Sequence, residues 1–477
     1  MKKLMAAMLA GTMLIGTAGC GKEKTENTEN GDLVTIRLYM PGDQQSDLAT
    51  VMEEFNKIAE KEIGARVEMT LIDSGAYTEK MNMKLATKED FDVCFTGYVN
   101  PYGTAVKNES YYPLTELIDK YAPDLWDKIP EFWWDGVRRD GEIYAVPNQQ
   151  IASTVPSMEL DKKWIEKYNL DVDSLKTWDD FEPFMQQIKE NEPKYFPTKP
   201  WGNYWVQNFE KITTGVGLDL REDKLTAIYE WDADGYQHGL DKLHEWFEKG
   251  YFRSDIASVM DDSNDYLAGK YVVLGCGWKP GYESYLNTTL GGDHKVINIG
   301  KPYVVSSGVT ATMYAINAYS KHPEQAIKFI ELMNTNVEAY NLLCYGIEGK
   351  HYTKVDDNHI RLDKNSGYYF NAAWKFGNQF NAYFLEGQDE NVWEETKKLN
   401  DEAEKSKIIG FVFDTSNVQT ELSQMATVAG EYANYDNGSV NWRDTFDEYK
   451  TRMMNAGAEN VLKEVQRQLD EYAKENK

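Results

Sequence analysis

The sequence predicts an α/β fold with a mostly parallel sheet, and two observations in residues 33–98 support this prediction. Three runs have the apolar or alternating pattern of β-strands: LVTIRLYM, ARVEMTLI and FDVCFTGY. Between them lie two stretches with helical spacing, from Leu48 to Gly64 and from Tyr77 to Thr87. Strands that alternate with helices are typical of parallel sheets, in which ligands bind beyond the carboxyl ends of the strands.

The same patterns predict further elements later in the chain. Helical spacing begins at Thr177, recurs in a stretch that ends at Gly250, follows Lys321, and extends from Asn441 almost to the end of the chain. The run DYLAGKYVVL, residues 265–274, has the pattern of a helix end followed by a buried strand. Helices and strands are therefore expected along most of the chain.

The first twenty residues, MKKLMAAMLAGTMLIGTAGC, have the layout of a secretory signal. Their apolar run, residues 4–15, is shorter than the roughly 20 apolar residues of a membrane-spanning helix, so we expect cleavage of residues 1–19. The ending resembles a bacterial lipobox. This resemblance implies that Cys20 becomes a lipid-bearing N-terminus, with palmitate as the expected acyl group. The alternative is a generic signal peptide whose cysteine is incidental.

Residues 20–32 predict a flexible tether. After the cysteine they are polar, rich in Lys, Glu, Thr and Asn, and have nothing with which to form a core. No later stretch approaches 18 uninterrupted apolar residues, so the remaining chain is expected to be soluble. The expected location is extracellular, at the outer face of the bacterial cytoplasmic membrane.

The net charge is strongly negative: 51 Lys and Arg residues stand against 78 Asp and Glu residues, which gives −27 at pH 7. This balance argues against a nucleic-acid partner and against broad adhesion to anionic lipid. A chain of 477 residues is long enough for two lobes. Aromatic residues make up 13% of the chain, and many of them cluster with Asn, Gln, Gly and Asp.

The sequence carries no recognisable catalytic or metal motif. Patterns such as HExxH, GxSxG and the P-loop are absent. Cys94, Cys276 and Cys344 lie in apolar runs and are predicted to be small buried residues. Residues 171–182 have acidic residues at four calcium-loop positions, but a leucine and a lysine break the pattern, so we expect a loop and a helix cap. No enzyme activity, cofactor or bound metal is expected.

An ordered series of short motifs resembles the extracellular solute-binding lipoproteins of ABC importers, family 1. The motifs are KEDFDVCFTGY, GEIYAVPNQQ, KTWDDF, EKGYF, AGKYVVL and SKHPEQAIKFIELM. Three later segments resemble a subgroup with an uncharacterised C-terminal region, here about residues 340–477: NLLCYGIEGKHY, FGNQFNAYFLEGQDENVW and GFVFDTSNVQTEL.

This resemblance implies a type II periplasmic-binding-protein fold, with two α/β lobes, a hinge and a ligand cleft between the lobes. By analogy, lobe 1 is expected at residues 33–152 plus 304–351, and lobe 2 at residues 153–303 plus 352–477. Such lobes close on a ligand by a hinge motion.

A sugar has polar edges and apolar faces, so its site needs aromatic rings for stacking and amides or carboxylates for the hydroxyls. We predict ligand-binding residues where such side chains cluster or follow predicted strands: Asp43, Gln44, Tyr98, Asn100, Tyr144, Gln149, Trp201, Trp205, Trp278, Tyr282, Trp374 and Asn378. The alternative for each residue is structural, because aromatic rings usually pack the core and amides usually cap turns.

The predicted function is that of a monomeric, lipid-anchored binding protein that captures an oligosaccharide and delivers it to the permease subunits of an ABC transporter. One alternative is a surface enzyme that acts on carbohydrate with paired carboxylates. Another is a sensory or adhesive carbohydrate-binding lipoprotein.

Overall fold

A five-stranded sheet organises the first part of the chain. Across the sheet, its strands follow the order Ala65–Ile72, Val34–Pro41, Val93–Gly97, Thr312–Ile316 and Ala145–Pro147. The first three strands are mutually parallel, and Thr312–Ile316 runs antiparallel to both of its neighbours. The predicted α/β class with a mostly parallel sheet is therefore confirmed, with one late strand inserted in the opposite direction.

The computed structural model describes residues 33–99, 102–200, 202–259 and 261–475. The predicted signal peptide, Cys20 and all of the predicted tether lie outside these residues, as do Asn100 and Trp201. Among the helices described, none is long and apolar enough to cross a membrane.

Local sequence explains the first elements. The helix Leu48–Ile63 buries Phe55 and Ala59, one turn apart, and ends at Gly64, whose φ of 65° lies in the left-handed region. The second helix, Ser74–Ala86, begins three residues before the predicted start. The Asp73 carboxylate causes this difference, because it accepts hydrogen bonds from the backbone amides of the first turn at 3.0 and 3.2 Å.

The first hydrophobic core forms around the five-stranded sheet. Its buried side chains come from residues 36–152 and 304–403. The helices in these two ranges are Leu48–Ile63, Ser74–Ala86, Tyr102–Lys107, Thr115–Tyr121, Asp124–Lys128, Glu131–Val137, Ser306–Val309, Pro323–Thr335, Val337–Tyr345 and Val392–Glu402.

The second hydrophobic core takes its side chains from residues 158–297 and 408–469. Two three-stranded antiparallel sheets lie in this region, with strands Val155–Asp161, Leu274–Trp278 and His294–Asn298, and strands Phe209–Thr213, Val216–Asp219 and Thr226–Tyr229. The helices are Lys162–Tyr168, Glu182–Asn191, Tyr236–Glu248, Ser263–Leu267, Tyr282–Leu290, Gln419–Glu431, Phe446–Asn455 and Ala458–Glu475.

The last helix, Ala458–Glu475, completes the edge of one of these sheets. Gln466 accepts a hydrogen bond from the Ala227 amide at 2.8 Å and donates one to the Leu225 carbonyl at 2.9 Å. The side chain therefore satisfies backbone groups of an edge strand, and the C-terminal region packs on the second core.

Residues 352–403 pack differently from the sequence-based grouping, which placed them in lobe 2. Tyr352, Ile360 and Phe376 are buried in the first core. A small sheet in this segment consists of Tyr352–Lys354, His359–Leu362 and Phe384–Leu385. The analogy that set the boundary at residue 351 carried no information on which core would bury these side chains.

Within the described residues, the chain passes between the two cores three times, at residues 152–158, 297–304 and 403–408. The three crossing segments are hydrogen-bonded side by side. Thr154 pairs with Tyr303, and the strand Tyr303–Val304 pairs with Glu404–Lys405. Three adjacent extended segments therefore connect the two cores.

Two buried polar side chains fix these crossings. The Glu210 carboxylate accepts hydrogen bonds from the Ser306 amide at 2.9 Å, the Tyr303 hydroxyl at 3.0 Å and the Ser406 hydroxyl at 2.5 Å. It thereby ties the second and third crossings to the second core.

Asn400 holds the first crossing. Its side-chain nitrogen donates to the Gln150 carbonyl at 2.7 Å, and its oxygen accepts from the Ala152 amide at 2.9 Å. Buried polar groups that are satisfied in this way fix the path of the backbone.

The structure confirms the predictions for the three cysteines and for the loop at residues 171–182. Cys94, Cys276 and Cys344 are buried free thiols, and burial raises the pKa of the Cys94 thiol to about 12. In the loop that imperfectly matches a calcium site, Asp171 and Asp180 accept backbone hydrogen bonds and cap turns.

Candidate ligand-binding site

A cavity of about 600 Å³, here called the principal cavity, opens between two groups of elements. Its first wall comes from residues 345–396, mostly packed on the first core: Tyr345, Asn371, Ala373, Trp374, Gln379, Leu385, Gln388, Val392, Trp393 and Thr396. Its second wall comes from residues 159–285: Glu159, Lys199, Tyr266, Leu274, Lys279, Pro280, Gly281, Tyr282 and Tyr285. Ile151 lies at the first crossing between them.

The first wall presents two indole rings. Trp374 lies in a 3₁₀ turn, half-buried, with its ring centroid 6.0 Å from that of Tyr98. The ammonium group of Lys375 lies 5.2 Å from the Trp374 centroid and donates to the Pro41 carbonyl at 3.1 Å. Trp393 is fixed by its indole N–H, which donates to the Ala382 carbonyl at 2.9 Å. These contacts hold both rings in place.

Three amide side chains, those of Asn371, Gln379 and Gln388, also line the first wall. The Gln388 side-chain oxygen accepts from the Leu385 amide at 2.9 Å, and the Gln379 backbone amide donates to the Gln149 carbonyl at 2.9 Å. Asn371 has a φ of 47°, a left-handed conformation that asparagine tolerates better than most residues. This wall therefore offers neutral donors and acceptors beside aromatic faces.

The second wall contains a buried carboxyl group. Glu159, on the strand Val155–Asp161, is 3% exposed, and its Oε2 atom has no hydrogen-bond partner among the described residues. Burial raises the pKa of this carboxyl to about 7, although the hydrogen bond with Tyr282 acts in the opposite direction. The Glu159 side chain can therefore bind a ligand hydroxyl as a carboxylate or as a carboxylic acid.

Tyrosines surround this carboxyl group. The rings of Tyr282 and Tyr285 are stacked, with centroids 5.8 Å apart and an interplanar angle of 23°. Burial raises the pKa of Tyr282 and of Tyr266, so both phenols remain protonated at neutral pH and can donate hydrogen bonds. Lys199 also lies on this wall, with its ammonium group 3.1 Å from an Asp262 carboxylate oxygen.

The two walls come close to each other at one glycine. Gly281 has a φ of 80°, and a Cβ atom at this position would lie 2.9 Å from the Cγ2 atom of Val392. A side chain would therefore both strain the backbone and press on the opposite wall.

Flat aromatic faces, amides and a protonatable carboxyl group suit a ligand with apolar faces and many hydroxyl groups. The volume lies within the range of about 300–1,000 Å³ that is usual for small-molecule sites. The arrangement can bind such a ligand by stacking and by paired hydrogen bonds.

Some of the residues predicted from the sequence lie at this cavity. Tyr282 and Trp374 line it, and Tyr98 is adjacent to Trp374. Asp43 is exposed and acts electrostatically on Lys375 behind Trp374. Gln44 donates to the Leu71 carbonyl at 2.7 Å and so is fixed at the end of the adjacent strand. Tyr98, Asp43 and Gln44 do not themselves line the cavity.

Two other predicted residues, Gln149 and Asn378, line a different and smaller cavity of about 370 Å³. It is here called the hinge-side cavity, because Gln149 immediately precedes the first crossing and Asn400 also lines it. Its lining residues are Asp127, Lys128, Pro130, Phe132, Trp133, Gln149, Asn334, Thr335, Asn378, Phe380, Asn381, Lys397, Asn400 and Asp401.

Three further predicted residues do not line the principal cavity. Trp205 is buried in the second core, where its indole N–H donates to Asp179 at 2.7 Å. The indole N–H of Trp278 lies 3.2 Å from a Glu283 carboxylate oxygen. Tyr144 has its backbone amide 3.1 Å from the Tyr102 hydroxyl and packs on the first core. Polar residues adjacent in the sequence were the basis for predicting these three aromatic residues. Aromatic residues at the cavity have the same kind of neighbours, so this criterion could not separate the two groups.

Several lining residues were missed from the sequence, notably Glu159, Tyr285, Gln379, Gln388 and Trp393. For Tyr285 a signal existed, because it follows Tyr282 by three residues and so lies on the same face of a helix. For Glu159 the signal was a carboxylate inside an otherwise buried strand, which requires a partner or a ligand.

Comparisons with known proteins show the family of the chain. Residues 42–339 match the family described as bacterial extracellular solute-binding protein, and residues 407–474 match a domain of unknown function, DUF3502. The carbohydrate ABC transporter substrate-binding protein of Streptococcus pneumoniae serotype 4 is 28% identical, and the match covers 97% of this chain and 96% of that protein. Lipoprotein LipO of Bacillus subtilis is 23% identical over 85% of each chain.

Among solved structures, the N-glycan transport solute-binding protein NgtS of S. pneumoniae is 26% identical, with a TM-score of 0.84 over 93% of this chain and 100% of that chain. Its complex with Man5GlcNAc has a TM-score of 0.70, with 93% and 99% coverage and 27% identity. The predicted type II periplasmic-binding-protein fold is confirmed. With more than half of its length matched by the family model, the chain belongs to the bacterial extracellular solute-binding proteins.

Proposed function

We propose that the protein is the receptor of an ABC importer and that it binds an oligosaccharide in the principal cavity. The observation that carries this proposal is a cavity lined on one wall by two indole rings and amides, and on the other wall by phenol rings and a buried carboxyl group. The names of the relatives support it, since they describe carbohydrate and N-glycan transport. The ligand class that fits best is an N-glycan fragment built from mannose and N-acetylglucosamine.

The proposed contacts divide between the walls. Trp374 and Trp393 would stack on sugar faces, and Gln379 and Gln388 would pair with hydroxyl groups. Glu159, whose Oε2 atom has no partner in the described part of the chain, would accept a hydrogen bond from a ligand hydroxyl. Among the residues predicted from the sequence, Asp43, Gln44 and Tyr98 would extend the site beside Trp374.

The three paired crossing segments would act as the hinge on which the two lobes close. We place the lobes according to their cores, at residues 34–152 plus 304–403 and at residues 158–297 plus 408–475. The protein would work as a monomer without catalytic activity and would release its ligand chemically unchanged to the permease.

Calorimetry with purified protein and a panel of mannose and N-acetylglucosamine oligosaccharides tests the ligand class. We expect heat of binding for at least one oligosaccharide, and recovery of that ligand without new reducing ends. Absence of binding across the panel together with binding of peptides would contradict the proposal, and new reducing ends would point to an enzyme.

The lipid anchor at Cys20 is part of the same proposal. An anchored receptor stays near its permease, whereas a free one diffuses away. We expect Cys20→Ala to release the protein into the medium, while Cys276→Ala, which alters a buried thiol, leaves it with the membrane fraction. Cell fractionation and immunoblotting measure this, and membrane retention of the Cys20 variant would contradict the anchor.

A further inference from the structure

We infer that the hinge-side cavity is a second ligand site, for one or two sugar units or for a neutral polyol of that size. It shares no lining residue with the principal cavity. The two cavities lie along the same helix, Val392–Glu402, where Thr396 lines the principal cavity and Lys397 and Asn400 line the hinge-side cavity.

Two buried atoms in the hinge-side cavity have unmet hydrogen-bonding capacity. Gln149 is 3% exposed and Asn334 is 1% exposed. The Gln149 side-chain nitrogen and the Asn334 side-chain oxygen have no partner among the described residues. Burial of such groups is unfavourable unless something pairs with them. The two residues that carry this donor and this acceptor both line the cavity.

A hydroxyl-bearing molecule fits this pair, because a hydroxyl group can accept from an amide nitrogen and donate to an amide oxygen. A charged ligand fits less well. The wall carries two aspartates, Asp127 and Asp401, against two lysines, and Lys397 is already paired with Glu394 at 2.6 Å.

The lining and the volume of the hinge-side cavity suit a small sugar or polyol. The rings of Phe132 and Phe380 line the cavity and provide apolar surface for a sugar face. A volume of about 370 Å³ is near the lower end of the usual range of small-molecule sites, and is far more than the roughly 30 Å³ that one water molecule takes up.

The site also contacts the backbone that connects the lobes. Asn400 holds the first crossing through the Gln150 carbonyl and the Ala152 amide. Gln149 accepts the backbone hydrogen bond of Gln379, which lines the principal cavity. A ligand here would therefore touch residues that position both the hinge and the first wall.

The test uses single hexoses, N-acetylhexosamines and glycerol at millimolar concentration with the whole purified protein. Crystals soaked with each compound should show one of them in the hinge-side cavity. In calorimetry, Gln149→Met, which removes the donor and keeps the chain length, should weaken its binding about tenfold, the effect of losing one buried hydrogen bond. Tyr285→Ala, which alters the principal cavity alone, should leave this binding within about twofold.

Gln149→Met removes an amide whose nitrogen has no partner among the described residues, so it should fold normally, which a thermal melt verifies. Phe132→Ala, at a half-buried ring of the same cavity, is the second variant and should also weaken the binding. Only water in the cavity in every soak would overturn the inference. So would binding that is lost in Tyr285→Ala and retained in Gln149→Met and Phe132→Ala.

Discussion

The two walls of the principal cavity differ in the chemistry that they present. The first wall is neutral, with Trp374, Trp393 and the amides of Asn371, Gln379 and Gln388. The second wall carries tyrosines, two lysines and a buried carboxyl group whose pKa lies near 7. Indole rings and neutral amides therefore lie on one wall, and phenol rings with a group that titrates near neutral pH lie on the other.

If the principal cavity binds a sugar as proposed, this difference would give the two walls separate roles. The neutral first wall would bind sugar faces equally well across the physiological pH range. Under the same proposal, the second wall would change its hydrogen-bond donors and acceptors with pH, because Glu159 titrates near neutral pH. The variants below separate these roles, in order of decreasing expected effect.

Loss of the Glu210 carboxylate should break the alignment of the walls most severely. Glu210→Ala leaves three donors without their acceptor, those of Tyr303, Ser306 and Ser406. We expect the free energy of unfolding to fall by about 3 kcal/mol or more, because each buried group left unpaired costs roughly 1–3 kcal/mol. Urea unfolding measures this, and Glu210→Gln, which keeps an acceptor, should lose less. Equal stability of wild type and Glu210→Ala would show that the crossings do not depend on this residue.

Trp374→Ala tests the stacking role of the first wall. We expect oligosaccharide affinity to fall by about 30-fold, or roughly 2 kcal/mol, as for a central aromatic contact. The matched control is Trp126→Ala, which removes a half-buried indole of the same core outside the cavity. Calorimetry should find its affinity within about twofold of wild type. A similar loss in both variants would indicate a general packing effect.

Glu159→Gln tests the protonation role of the second wall. The folded-state pKa of about 7 exceeds the ordinary value of 4.5, so the folded protein retains a proton that the unfolded chain releases. The contribution of this proton to the free energy of unfolding is complete below about pH 4.5. It is lost as the pH rises through about 7.

Between pH 5 and 8, wild type should therefore lose up to about 2 kcal/mol of stability relative to Glu159→Gln. Chemical denaturation of both proteins at several pH values measures this difference. A difference that stays constant across this interval would contradict the raised pKa.

The smallest expected effect concerns the rim of the second wall. Tyr285 and Tyr319 are both exposed tyrosines, at 54% and 43%, but only Tyr285 lines the principal cavity. Tyr285→Ala should weaken binding about threefold, and Tyr319→Ala should leave it unchanged, since rim contacts contribute less than central ones. Titrations of both variants with the same oligosaccharide measure this difference. Equal affinities of the two variants would show that Tyr285 does not contact the ligand.

The sequence predicted the fold better than the site. The strand Val34–Pro41 and the helix Leu48–Ile63 follow from local periodicity, and the structure places both close to the predicted bounds. The packing of residues 352–403 was not predictable in this way. Short strands and turns in that segment acquire their position from tertiary contacts with the first core.

The positions of the site residues were also not predictable from local sequence. Trp205 and Trp374 both stand among Gly, Asn and aromatic residues in the sequence, yet one is buried against Trp246 and the other lines the cavity. Gln149 and Asn378 were predicted as ligand residues and lie at the hinge-side cavity. Composition identified residue types suited to sugar, whereas the assignment to a particular cavity depends on contacts distant in sequence.

A crystal structure of the protein with a mannose and N-acetylglucosamine oligosaccharide tests the central claim most directly. We predict sugar density in the principal cavity, with one ring stacked on Trp374 and a hydroxyl group within hydrogen-bond distance of the Glu159 carboxyl group. An oligosaccharide bound outside both walls, with Trp374 and Glu159 free of contact, would contradict the account.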